Sequence, residues 1–124
     1  MSISNYAENK ILDHVLRNVA FTSPTSVYVS LHSADPGETG ANEISGGSYV
    51  RKVAAFTAAA SGATETSATL TWSDMPAVTL THVAIWDAST AGNCLWVGAL
   101  SSAKVVNSGD TFQMAAGDLD VTLD

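Results

Sequence analysis

The stretch THVAIWDASTAGNCLWVGAL, residues 81–100, decides the fold of this chain. On both sides of its centre, apolar and small polar side chains alternate with a period of two, which is typical of half-buried strands. The central residues, DASTAGN at 87–93, are turn formers, and Asn and Gly tolerate a positive φ. The stretch therefore predicts a hairpin whose two strands run roughly over Val78–Trp86 and over residues 94–100. In the second strand, alternation predicts one face with Cys94, Trp96 and Gly98 and the opposite face with Leu95, Val97 and Ala99.

The same hairpin carries His82 and Cys94, which raises the question of a reactive pair. A nucleophilic cysteine needs a base within hydrogen-bond reach. A Cys–His pair is conceivable, since both residues lie near the two ends of one predicted hairpin, but no sequence signature supports it. A histidine in a sheet face and a small buried cysteine are the simpler interpretation. We therefore expect no catalytic residues, no cofactor and no enzymatic activity.

Outside the hairpin, several short runs alternate in the same way and are separated by turn-forming segments. This spacing is expected of a β-sandwich, and strands do not alternate with helices as in α/β folds. We predict a mainly β chain, an antiparallel, jelly-roll-like β-sandwich over residues 26–124, within a single domain of residues 1–124. The remaining strands are expected in SVYVSLH (26–32), SYVRKVAAF (48–56), ATLTW (68–72), VNSGDTF (106–112) and AAGDLDVTLD (115–124), with 58–67 as a turn region.

The first part of the chain, residues 1–19, predicts a helix that the proline-containing segment FTSPTS ends. Asn5 and Glu8 have the spacing of a capping box, and Ser4 or Ser2 is an alternative cap. The apolar stripe of this helix is expected to close one end of the sheet or to pack on a neighbouring subunit. Its members are Ala7, Ile11, Leu12, Val15, Leu16 and Val19.

The long loop at 33–47, SADPGETGANEISGG, holds three acids, Asp35, Glu38 and Glu43. Calcium loops collect carboxylates, but at a regular spacing that this loop does not match. The simpler interpretation is a solvated loop. The three histidines lie on different predicted elements without the spacing of a metal site. We expect no bound metal.

The composition points to a subunit covered by neighbours. Charged residues make up 14% of the chain, whereas about 25% is typical of soluble domains, and 19 Ala, 15 Ser and 13 Thr fill the difference. The net charge of −7, without a basic cluster, argues against nucleic-acid binding and against a basic membrane-binding helix. A signal peptide is not apparent and one cysteine allows no intrachain disulfide. We expect synthesis in a cytoplasm and a homo-oligomer.

Four stretches resemble a family of small bacteriophage virion proteins, often labelled tail-fibre or minor tail proteins. They are NKILDHVLRNVAFTSPTSVYVSLHSADPG (9–37), EISGGSYVRKVAAF (43–56), THVAIWDASTAGNCLWVGALSSAKVVNSGDTF (81–112) and AAGDLDVTLD (115–124). The resemblance implies a structural component of the virion with no catalytic residues. It leaves the position on the particle open.

Two positions are compatible with this resemblance. A fibre is long, and this chain has no coiled-coil or repetitive stretch, so we expect a capsid decoration (cement) subunit that binds and stabilises the assembled head. The alternative is a tail or tail-fibre-associated structural or receptor-binding component. The partners would be other virion proteins, either major capsid or tail proteins. The expected contact residues are Ile3, Tyr6, Ile11, Leu12, Val15, Asp35, Glu38 and Glu43.

Overall fold

The computed structural model describes residues 1–123, so Asp124, the last residue of the predicted sandwich, lies outside the described residues. The elements are β1 (Ser2–Ile3), α1 (Asn5–Arg17), β2 (Val27–His32), β3 (Lys52–Ala54), β4 (Ala63–Glu65), β5 (Leu70–Trp72), β6 (Val78–Trp86), β7 (Cys94–Val106), β8 (Phe112–Met114) and β9 (Asp120–Thr122). Five strands form an antiparallel sheet in the order β1-β7-β6-β2-β3, and two antiparallel ribbons, β4–β9 and β5–β8, accompany it. A short 3-10 helix, Gly37–Thr39, lies in the long loop.

The sheet and the two ribbons share one apolar core. Alternate residues of β2 and β6 point into it, as the period of two predicts. The ribbons cover these side chains from the other side, which gives sandwich-like packing. The predicted mainly β fold with an N-terminal helix is therefore confirmed. The core includes Val29, Leu31, Val83 and Ile85 of the sheet, Leu70, Trp72, Met114 and Val121 of the ribbons, and Leu119 just before β9.

The hairpin β6–β7 is present as predicted, although β7 continues to Val106 instead of ending near residue 100. Its register shifts by one residue at a β-bulge near the turn, between the pairs Ile85↔Trp96 and Trp86↔Cys94. Because one extra residue moves the following side chains to the other face, Trp96 packs with the main core and Val97 packs with Cys94. The prediction that Cys94 and Trp96 share a face was wrong for this reason.

The helix is shorter than predicted and begins at a different cap. Ser4, one of the two alternative caps, is the N-cap, and its Oγ accepts a hydrogen bond from Ala7 N at 3.2 Å. Asn5 and Glu8 do not form the capping box. The helix ends at Arg17, before the proline segment, because Asn18 adopts a left-handed conformation with φ of 56°.

The turn region predicted at 58–67 contains a strand, β4, that pairs with β9. Small Ala, Ser, Gly and Thr residues hide its alternation in the sequence. In the part of the chain that the structure describes, no helix is long and apolar enough to cross a membrane.

Candidate interaction surfaces

One arginine joins the long loop, the hairpin turn and the sheet. The Arg51 side chain is 7% exposed and forms a two-pronged ion pair with Glu43, with Nε and Nη2 at 3.0 and 2.9 Å from the two carboxylate oxygens. Its Nη1 donates to the carbonyl oxygens of Ala88 and Ala91 at 3.0 and 2.8 Å. The guanidinium carbon lies 3.6 Å from the ring centroid of Trp86. We call these five residues the Arg51 cluster; its charge-assisted bonds and cation–π contact fix two loops on one strand.

Glu43 is held as an anion inside this cluster. The hydroxyl of Tyr49 donates to Glu43 Oε1 at 2.8 Å and accepts a bond from the Leu31 amide at 3.0 Å. Burial by itself would raise the pKa of Glu43, but the hydrogen bonds from Arg51 and Tyr49 outweigh it and hold that pKa below its ordinary value. Burial also raises the pKa of Tyr49, so its hydroxyl remains a donor.

A second buried network lies under the loop. The Ala41 carbonyl can only accept, so Nδ1 of His32, 2.7 Å away, carries the ring proton. Burial lowers the pKa of His32, and Nε2 of the neutral ring accepts from Ser30 Oγ at 2.6 Å. Ser30 Oγ in turn accepts from Trp86 Nε1 at 2.7 Å. Ser30 and His32 have the spacing of a nucleophile and its base, but both are fully buried, so no substrate can contact them in this conformation.

The pair that the sequence raises, His82 and Cys94, does not form. Cys94 stands opposite Trp86, whereas His82 stands four residues further along β6, a separation of roughly 13 Å at about 3.4 Å per residue. Burial raises the pKa of the Cys94 thiol to about 11. His82 Nδ1 lies 2.8 Å from the Thr81 hydroxyl instead.

The three acids of the long loop do not converge. Asp35 Oδ1 accepts from the Gly37 amide at 2.9 Å, and Glu38 Oε2 accepts from the Asn5 amide at 2.6 Å, at the start of α1. Glu43 is bound by the arginine already described. Within residues 1–123, no three His, Cys, Asp or Glu side chains are grouped as metal ligands. The acids instead attach the loop to itself, to the helix and to the sheet.

The apolar stripe of α1 is divided between two environments. At the start of the chain, Ala7 is buried, and Ile3 and Tyr6 pack partly against the core. Ile11 is half-buried. Beyond it four apolar side chains are exposed, and we call them the helix face: Leu12 (54%), Val15 (69%), Leu16 (74%) and Val19 (44%).

The eight residues predicted to make contacts are therefore distributed unevenly. Only Leu12 and Val15 lie on the helix face, and Ile3, Tyr6 and Ile11 lie nearer the body of the protein. The loop acids Asp35, Glu38 and Glu43 bind groups within the protein. The contact role of all eight remains a prediction. Sequence patterns could not separate the buried part of the stripe from the exposed part, because both continue the same helical spacing.

Two cavities are lined mainly by residues of the strands and their connections. The first has a volume of about 330 Å³ and is almost wholly apolar; its walls include Val27, Phe56, Ala63, Trp96, Val121 and Leu123. Within the described residues, the buried Nε1 of Trp96 has no hydrogen-bond partner. The second has a volume of about 560 Å³ and mixed walls. We call it the bulge cavity, and its lining includes Leu100, Ser101, Ser102, Lys104, Phe112, Gln113, Asp118 and Asp120.

The bulge cavity takes its name from the irregular part of β7. The register passes from Leu80↔Lys104 to His82↔Ala99, so residues 100–103 of β7 stand opposite the single residue Thr81 of β6. Such a bulge interrupts the ladder and redirects side chains. Sequence reasoning missed this cavity, since it treated the segment after residue 100 as lying outside the strand.

Comparison with known proteins places the chain in a family. A family model described as Podophage GP4 fiber I protein gp80 matches residues 2–122. A search of curated proteins gave no significant match. The family match favours the tail-fibre alternative over the capsid decoration role that we expected first. The chain belongs to the Podophage GP4 fiber I protein gp80 family and is a bacteriophage fibre structural protein, a component of the virion.

Proposed function

We propose that this chain is a non-catalytic, tail-fibre-associated structural subunit that is held in the particle through its helix face. The observation that carries the proposal is the exposure of Leu12, Val15 and Leu16 on one side of an ordered helix, with Val19 exposed just beyond its end. In a fibre protein, which associates with other virion components, such a surface fits a contact with another protein.

Charge supports the use of the helix for this contact. Within α1, Glu8 and Asp13 balance Lys10 and Arg17, so its net charge is zero and the whole net charge of −7 belongs to the rest of the chain. Acidic bodies repel one another and repel other acidic proteins. The helix adds no net charge to that repulsion, and burial of the apolar side chains of the helix face contributes about 25 cal/mol per Å² of apolar area.

The two arrangements that resemble catalytic pairs support a non-catalytic role. Ser30 and His32 are fully buried, and His82 and Cys94 are well separated. A general base must reach both its nucleophile and a substrate, and neither arrangement meets that requirement in this structure.

The test is to locate and then displace the subunit in intact phage. Gold-labelled antibody against this chain should mark the tail of the particle in electron micrographs. A Leu12→Gln/Leu16→Gln variant should be lost from purified particles, whereas Val105→Gln should be incorporated as the wild type is. Val105 is a suitable control because it is 76% exposed and lies outside the helix face. Label over the head, or normal incorporation of the helix variant, would contradict the proposal.

A further inference from the structure

We infer that the helix face binds a second copy of this chain, whose apolar cavity receives the side chains of Leu12 and Leu16. This pairing rests on the proposed function, since it names the protein that the helix face contacts. One molecule carries two uncovered apolar surfaces, the helix face and the cavity of about 330 Å³. In the inferred assembly, the helix face of each copy covers the cavity of its neighbour.

The apolar cavity is lined by residues of the sheet and of the β4–β9 ribbon, and it opens to solvent. Ile85 and Leu95 in its wall are buried. Other wall residues are exposed and mark the mouth: Ala59, Gly62 and Leu123, the last to 50%. Water in an apolar cavity finds few hydrogen-bond partners, so its replacement by an apolar side chain is favourable.

The cavity has room for two leucine side chains. Truncation of one buried leucine leaves a cavity of about 150 Å³, and the volume here is about twice that. Leu12 and Leu16 are four residues apart on α1, so they project side by side from the same face of the helix. They are 54% and 74% exposed, and both are therefore free to enter a neighbouring molecule.

A copy does not fill its own cavity with its own helix. The Ser4 hydroxyl caps α1 and donates to the Cys94 carbonyl at 2.6 Å, which fixes the start of the helix on β7. Among the described residues, none of those that line the cavity belongs to α1. The contact therefore joins different copies. Because the helix face and the cavity are different surfaces, the contact is head-to-tail.

Charge complementarity favours this contact. Glu65 and Asp120 stand directly opposite each other in the β4–β9 ribbon, which forms one wall of the cavity. Like charges in this position repel each other. Arg17 directly follows Leu16 and is 70% exposed. In the inferred contact it brings a positive charge to the acidic ribbon of the neighbouring copy.

A head-to-tail contact also suits a compact subunit of a fibre. Such a contact repeats from copy to copy until it closes into a ring or extends as a line, so it provides a length that one chain of 124 residues lacks. A symmetric dimer through two helix faces would stop at two copies and would leave both cavities uncovered.

Sedimentation of the purified full chain measures this association. The wild type should form oligomers as its concentration is raised to about 1 mM. Leu16→Gln removes an inserted side chain, and Ala59→Phe fills the cavity from an exposed position. Each should weaken association at least about tenfold, the loss expected when a leucine is no longer buried. Val105→Gln is the control and should associate as the wild type does.

A mixture of the two variants distinguishes a head-to-tail contact from a symmetric one. Leu16→Gln keeps an intact cavity and Ala59→Phe keeps an intact helix face, so one wild-type contact can form between them. The equimolar mixture should contain dimers of one copy of each variant and nothing larger, whereas each variant alone should be monomeric. Leu123→Gln, at the mouth, is the second cavity variant and is used if Ala59→Phe lowers the melting temperature.

A wild-type chain that remains monomeric would overturn the inference. Association that the cavity variants leave unchanged would also overturn it and would indicate paired helix faces, and a mixture without dimers would exclude the head-to-tail contact. The proposed function is tested separately in phage particles. If Leu12→Gln/Leu16→Gln is lost from particles while the wild-type chain is monomeric in solution, the proposed function stands and the helix face contacts a different virion protein.

Discussion

The two arginine–carboxylate pairs found within residues 1–123 lie in regions with opposite properties. Arg51 is 7% exposed, and its guanidinium also holds two backbone carbonyls and Trp86. Arg17 is 70% exposed and pairs with Asp13, four residues earlier on the helix. The polar groups around Arg51 are hydrogen-bonded within the protein, whereas the helix face leaves apolar side chains exposed to solvent. The difference indicates that the region around Arg51 maintains the fold and that the helix face is available to other proteins.

Removal of the buried arginine should have the largest effect on stability. Arg51→Ala leaves Glu43 and two turn carbonyls without their partner, and loss of one member of a buried ion pair costs about 3–5 kcal/mol. Urea denaturation measures the free energy of unfolding. Arg17→Ala is the control and should cost a few tenths of a kcal/mol, since exposed helix pairs contribute about 0.3–0.5 kcal/mol. Equal losses in the two variants would remove the distinction between the regions.

A smaller loss of stability is expected from a substitution where the long loop contacts Trp86. Gly40 has φ of 74°, and a Cβ at this position would overlap the Trp86 ring. Gly40→Ala should therefore cost at least the roughly 1–3 kcal/mol of a left-handed non-glycine residue. Gly109→Ala is the control because its φ is 85° and nothing lies within 4 Å of the added Cβ, so it carries the backbone strain alone. A melting temperature that falls equally in both variants would show that contact with Trp86 has no effect.

Acid should lower the free energy of unfolding through two groups near the long loop, His32 and Glu43. The pKa of His32 is lowered in the folded state, so the unfolded chain binds a proton more readily. The free energy of unfolding should therefore fall as pH decreases through the ordinary pKa of 6.5, and the loss should continue below 4.5 as Glu43, whose pKa is also lowered, is protonated.

Urea denaturation at about pH 7.5 and about pH 5.5 measures the histidine contribution. His32→Gln, although less stable at both values, should show a smaller difference between them. The same pH difference in the variant and the wild type would assign the acid sensitivity to other groups.

The smallest effect on stability is expected on the helix face. Leu16 is 74% exposed, so Leu16→Gln should change the free energy of unfolding by no more than about 0.5 kcal/mol. It should nevertheless reduce the amount of the chain in purified phage, measured by quantitative mass spectrometry. Val105→Gln again provides the control. A large loss of stability in Leu16→Gln would show that the helix face supports the fold of this chain.

The sequence predicted those parts of the fold whose signal is local. Alternation with a period of two located β2, β6 and the start of β7, and helical spacing located α1. The bulge near Leu95 left no local signal, and it reversed the expected faces of Trp96 and Val97. The small side chains of β4 obscured a strand that only its pairing with β9 defines.

The candidate sites were harder to predict because they depend on distant parts of the chain. Arg51 meets Glu43 eight residues away and Ala91 forty residues away, and no spacing rule anticipates those contacts. A signal did exist, since Arg51 and Tyr49 occupy one face of an alternating run in a chain with only five Lys and Arg residues. The bulge cavity combines residues of β7, β8 and β9, so it becomes visible only once the strands are paired.

The two hydrogen bonds of Ser4 affect the free energy with which another protein binds the helix. Its hydroxyl caps α1 and also donates to the Cys94 carbonyl at 2.6 Å, so the helix starts from a fixed point on the sheet. A protein that binds the helix meets a segment that is already ordered and oriented. Less conformational entropy is then lost on binding, and more of the free energy of apolar contact is retained as affinity.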